Sequence, residues 1–113
     1  ERLQIEFLIS AARLAPRMND VFVTMTDLYL EGRIGRLKAL SIVLAEETGV
    51  SRAANDAFNR ELIELRNGRM FARALPLVEK GPVLIGVGAL HLPGESGLVQ
   101  RFREAGFTVN RLF

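Results

Sequence analysis

Five consecutive residues, Val83-Leu84-Ile85-Gly86-Val87, constrain this chain more than any others. A continuous apolar run of that length predicts a parallel strand buried on both faces. After it, Leu92-Pro93-Gly94-Glu95 reads as a turn. Leu98, Val99, Phe102 and Ala105 share one side of a helix expected over 94–105, and Gly106 closes it. Phe107, Val109 and Arg111 then alternate with Thr108 and Asn110, as along an edge strand. Strand, helix and strand predict a right-handed parallel crossover, with 83–87 paired to 107–112. Two strands cannot cover each other on all edges. The expected fold is therefore α/β: a helical region over 1–80, then a strand–helix–strand unit over 81–113 whose incomplete parallel sheet needs partner strands. Those strands would come from a missing N-terminal segment or from another copy of the chain. Self-association through the exposed sheet edge is the expected consequence.

The region before this unit reads as helices. Ile5, Leu8, Ile9 and Ala12 form one face of a helix over 3–15 that Pro16 ends. Val21, Met25, Leu28 and Tyr29 fall at helical spacing, with Asn19 or Asp20 as cap and Gly32 as stop. Ile34, Leu37, Leu40, Ser41 and Leu44 make the next stripe, closed by Gly49. Ser51 caps the longest helix, expected to reach Lys80. It carries two apolar rows, Phe58–Leu62–Leu65 and Ile63–Met70–Ala74–Leu77, which predicts a position between layers. Pro76 should kink it.

Composition narrows the functional classes. The 113 residues carry a net charge of +2, and the positive residues are scattered along helices. A nucleic-acid arm or a polybasic membrane tether needs clustered charge, so nucleic acid is not an expected partner. Cysteine is absent, which removes disulfides, thiolate nucleophiles and cysteine metal sites. The apolar stretch from Pro82 to Leu90 is far shorter than the ~20 residues a membrane-spanning helix needs. Glu1 opens into an amphipathic pattern without the basic start and apolar run of a signal peptide. A chain that begins with Glu reads as a trimmed or partial product.

His91 is the only histidine. It stands just past the carboxyl end of the expected strand, where open α/β sheets place their ligand sites. Gly86 and Gly88 leave room for a close approach, and a helix beginning near Pro93-Gly94-Glu95 would aim its free amides at the same spot. Two readings of His91 stand: a functional ring, or one that caps the strand or bonds a loop carbonyl. Arg66 and Asn67 divide likewise. Arg66 suits a substrate carboxylate or a metal-site acid, and both residues could instead tie the long helix to the loop after the strand. Glu95 reads either as a base or as an acid favoured at a helix start.

The run Gly88-Ala89-Leu90-His91-Leu92-Pro93-Gly94-Glu95-Ser96-Gly97-Leu98, followed by Ala105-Gly106-Phe107-Thr108-Val109, resembles the C-terminal signature of the TraB/GumN family. That family includes the Tiki proteases and the pheromone-shutdown proteins. Glu64-Leu65-Arg66-Asn67-Gly68-Arg69-Met70 is similar to its upstream Arg-Asn helix. The resemblance is good from about Ala57 onward, and before that it is merely helical. It implies the C-terminal half of a metal-dependent, peptidase-like hydrolase, with His91 as a ligand to a divalent ion of the zinc or manganese type. It also implies a peptide substrate for the whole protein, and an exported or cell-envelope location. Members acting as proteases pair two Gly-x-x-His motifs with an acid in the first half. Only the second motif, Gly88 and His91, is present, so this chain alone is expected to be inactive and to hold metal poorly. Ser96 stands where many relatives carry an acid, which weakens a ligand role for that turn. The alternative is a non-catalytic interaction or regulatory domain that keeps the fold.

Overall fold

A computed structural model describes residues 2–112; Glu1 and Phe113, and with them the reading of Glu1 as a chain start, lie outside the described residues. The chain divides into two compact units, Glu1–Phe58 and Asn59–Phe113.

The first unit holds α1 (Arg2–Leu14), a 3₁₀ turn (Ala15–Arg17), α2 (Met18–Leu30), α3 (Ile34–Glu47) and α4 (Arg52–Asn59), whose last residue crosses into the second. Three helices of the chain stop where glycine is available. At Gly32, Gly49 and Gly106 the backbone turns left-handed, at φ 67°, 90° and 92°. The next amide then reaches back to an orphan carbonyl: Arg33 to Leu28, Val50 to Ala45, and Phe107 to Phe102. Ser51 caps α4 as expected, its Oγ accepting the Ala54 amide at 3.3 Å. Neither Asn19 nor Asp20 caps α2; Arg17 occupies that position, without a side-chain bond. Pro16 sits inside the 3₁₀ turn, so helical structure resumes almost at once.

The core of this unit is Val21, Leu37, Leu44, Val50 and Ala54. Between them lies a polar thread. Ser10 Oγ meets Thr48 Oγ1 at 2.5 Å, Thr48 Oγ1 donates to the Leu44 carbonyl at 2.6 Å, and Arg13 Nη1 donates to the Thr48 carbonyl at 2.7 Å. Burying Ser10 turns the apolar face of α1 outward: Ile5, Leu8 and Ile9 are exposed, Leu8 by 70%. Phe7 instead packs on Phe58, ring centres 4.6 Å apart.

The second unit begins with a π-helical turn (Arg60–Glu64), continues in α5 (Leu65–Val78), and closes with a 3₁₀ turn (Ala89–His91) and α6 (Leu98–Glu104). The Leu65 amide bonds the Arg60 carbonyl five residues back. Such a turn inserts one extra residue and shifts the helix faces beyond it. The first row is not between layers: Phe58, Leu62 and Leu65 remain 37–44% exposed. Pro76 lies in the last turn of α5, where the helix is about to end.

The α/β expectation is overturned. Among the described residues there is no strand and no sheet, hence neither a parallel pair of 83–87 with 107–112 nor a sheet edge. Residues 82–88 carry no regular structure, and Leu84 is 98% exposed. The physical reason is that a strand is defined by its neighbour: ladder bonds come from another segment. The helix after it is also shorter than expected, starting at Leu98 and not at 94, because Gly94 is left-handed at φ 86° and its carbonyl accepts the Gly97 amide in a turn. Among the described residues no helix is long and apolar enough to cross a membrane.

Candidate functional site

The second unit is built around a polar side chain. Asn67, in the first turn of α5, has no solvent exposure. A buried amide must satisfy both its ends, and Asn67 does so across the unit. Its Nδ2 donates to the Ser96 carbonyl at 2.9 Å, and its Oδ1 lies 2.7 Å from His91 Nδ1. Arg101 Nε donates to the same Ser96 carbonyl at 3.1 Å. One residue of α5 thus holds together the histidine turn and the following loop, and Arg101 ties α6 to the same carbonyl. Phe71 and Phe107 pack edge-on against Phe102 beside it, at 5.1 and 5.7 Å.

The Gly-x-x-His spacing has a local cause. The His91 amide donates to the Gly88 carbonyl at 3.0 Å, closing a single 3₁₀ turn with glycine at its base and histidine at its end. Gly88 has φ −62° and ψ 142°, a conformation open to any residue. A methyl group there would stand 3.7 Å from His91 Cδ2, in ordinary contact. Gly97 is different. It too has extended backbone, but a Cβ would overlap the carbonyl groups of Leu92 and Pro93. The Gly94-Glu95-Ser96-Gly97-Leu98 turn closes only because that position has no side chain. The Val99 amide reaches the Leu92 carbonyl at 3.4 Å to complete it.

Of the residues marked from sequence, Asn67 and His91 meet directly. Arg66 is exposed, but its charge is felt at the ring: His91 is held below its ordinary value of 6.5, first by burial and then by the Arg66 guanidinium. Glu95 is exposed at the corner of the 94–97 turn and makes no bond among the described residues. Because α6 begins at Leu98, Glu95 is not in a helix first turn, and the helix amides expected beside His91 are absent from that position. Gly88 contributes backbone alone. The Ser96 carbonyl and Arg101 were not legible beforehand: a carbonyl has no sequence signal, and Arg101 looks like any arginine on a short helix.

A metal-ligand set is incomplete here. Among the described residues no three His, Cys, Asp or Glu side chains lie together. The donors present fit one coordination position, through His91, and not a whole shell.

No curated protein and no solved structure matches the chain. The TraB/PrgY/gumN family model matches it over residues 1–111, almost its whole length, and the chain belongs to that family.

Proposed function

We propose that this chain is the C-terminal, histidine-bearing half of a metal-dependent, peptidase-like hydrolase, in which His91 supplies one ligand to a divalent ion of the zinc or manganese type. One observation carries the reading: a wholly buried amide, Asn67, is committed to orienting the only histidine. Metal-binding histidines commonly donate their other ring N–H to an oxygen acceptor, the part that Asn67 Oδ1 is placed to take. Arg66, exposed and electrostatically close to the ring, is suited to a substrate carboxylate. A single ligand cannot make the oriented site that activates water, so the remaining ligands come from a segment carrying a second Gly-x-x-His and an acid.

Calorimetric titration with zinc tests this. The 113-residue chain alone should bind at micromolar affinity or weaker, about −8 kcal/mol at best, and should not cleave peptides. A longer natural chain carrying the second motif should bind far more tightly and lose that gain in His91→Ala. Tight stoichiometric binding by the short chain would defeat the division of ligands, and an unaltered affinity in His91→Ala would defeat the reading.

The exposure of apolar side chains favours a second reading, a non-catalytic interaction domain. Leu8 is 70% exposed on the same helix as the exposed Ile5 and Ile9, and Leu30 and Leu84 are 76% and 98% exposed; a contiguous apolar face on α1 is the feature that would take a partner. Under that reading His91→Ala leaves biological activity intact, whereas replacing these leucines with glutamate abolishes association in sedimentation.

A further inference from the structure

The bonds around Asn67 determine more than the ring's position. The Ser96 carbonyl can only accept, and it faces the Asn67 side chain at 2.9 Å. The amide must therefore turn its NH₂ group toward Ser96, which leaves Oδ1 facing His91. Oδ1 can only accept, so the proton in the 2.7 Å contact belongs to His91 Nδ1. In a neutral imidazole the other nitrogen then carries the lone pair. Arg101, donating to the same Ser96 carbonyl, keeps that acceptor in place and hinders the amide from turning over.

The other ring edge is open. His91 Nε2 has no hydrogen-bond partner among the described residues, and no buried side-chain nitrogen or oxygen there lacks one, so Nε2 reaches solvent. Cδ2, its ring neighbour, is the atom that a methyl group at position 88 would touch at 3.7 Å. Glycine at 88 is required by neither backbone angle nor intrachain overlap, and a methyl group there would stand beside the ring at Cδ2, the atom bonded to Nε2.

We propose that Asn67 is a positioning residue that fixes neutral His91 as its Nδ1–H tautomer, presenting Nε2 outward as a lone pair, and that Gly88 keeps this edge accessible to an electron-pair acceptor. The identity of that acceptor as a metal ion rests on the reading above; the tautomer does not.

With a single histidine, long-range ¹H–¹⁵N correlation of the labelled chain reads both nitrogens without assignment. At a pH where the ring is neutral, Nδ1 should resonate as a protonated nitrogen and Nε2 as a bare one. The reverse pattern, or the averaged pattern of free histidine, overturns the proposal without any variant. Asn67→Ala should move the spectrum toward the average. An unchanged tautomer in Asn67→Ala removes Asn67 from the role. Zinc chloride should then shift Nε2 and leave Nδ1 protonated, with affinity about 10–100-fold weaker in Asn67→Ala and weaker in Gly88→Ala. A zinc shift at Nδ1 contradicts the proposal. No zinc shift at either nitrogen strikes the metal reading alone, since the tautomer is decided by the metal-free spectra.

Discussion

Each unit of this chain buries a polar thread, and the two threads end differently. In the first unit Ser10 donates to Thr48, and Thr48 donates to the Leu44 carbonyl, so the sequence of donors terminates on backbone. In the second, Arg101 and Asn67 converge on the Ser96 carbonyl, Asn67 accepts from His91, and His91 leaves a nitrogen facing solvent. Both satisfy their buried atoms. The first, which Arg13 joins only by donating to the Thr48 carbonyl, is closed on backbone acceptors and holds helices together. The second delivers an oriented, titratable group to the surface. A satisfied buried polar network rigidifies the fold around it; the second does so while leaving one ring nitrogen unspent.

The sharpest way to break the contrast is Gly97→Ala. A methyl group against the Leu92 and Pro93 carbonyls forces the loop open and displaces the Ser96 acceptor. Overpacking of this kind should cost about 2–3 kcal/mol in urea denaturation, and the His91 tautomer should be lost with it. Asn67→Ala comes next: it removes one of the two donors to the Ser96 carbonyl and strands the His91 ring nitrogen, for about 1–3 kcal/mol. Ser10→Ala removes one neutral donor from the closed thread and should cost about 1 kcal/mol. It should leave the His91 titration curve unmoved, and a shift there would show that the threads are coupled.

The two threads should also differ with pH. The hydroxyls carry no charge near neutrality, whereas His91 in the folded chain has a pKa below 6.5. Above 6.5 the ring is neutral in both folded and unfolded chains, and the burial of the neutral form is uncompromised. As pH falls through 6.5 the unfolded chain takes up its proton first, so stability declines until the lower folded pKa is passed. Denaturation midpoints followed from neutral into mildly acid solution should show this decline, and His91→Gln should remove that component. Arg66→Gln should raise the folded pKa only part of the way, because burial is the larger cause. The smallest expected effect is Gly88→Ala, whose methyl group meets only ordinary contact. Its stability change should stay within about 0.5 kcal/mol, so that any loss of metal binding is attributable to the covered ring edge.

Helices were legible because their causes are local. Ser51 supplies a cap, Gly32, Gly49 and Gly106 supply left-handed ends, and the stripes containing Leu37 and Leu44 supply the buried faces. The helix holding Arg66 and Asn67 and the loop holding His91 carry the resemblance to the family that the chain belongs to. Where the reading went wrong, the deciding interaction was distant. Val83–Val87 has a strand's composition, but a ladder requires a second segment, and none pairs with it among the described residues. The face holding Ile5, Leu8 and Ile9 has a core's composition, but Ser10 is drawn inward by Thr48, thirty-eight positions on.

Sequence by itself determined the helix ends closed by Gly32, Gly49 and Gly106, the absence of cysteine, and the family. Tertiary structure alone decided that Asn67 faces both Ser96 and His91, and therefore which ring nitrogen is held and which is free. Hydrogen bonds four residues apart are set by neighbours in the chain, whereas an amide's choice between two partners 24 and 29 positions away is set only when the chain has closed around it.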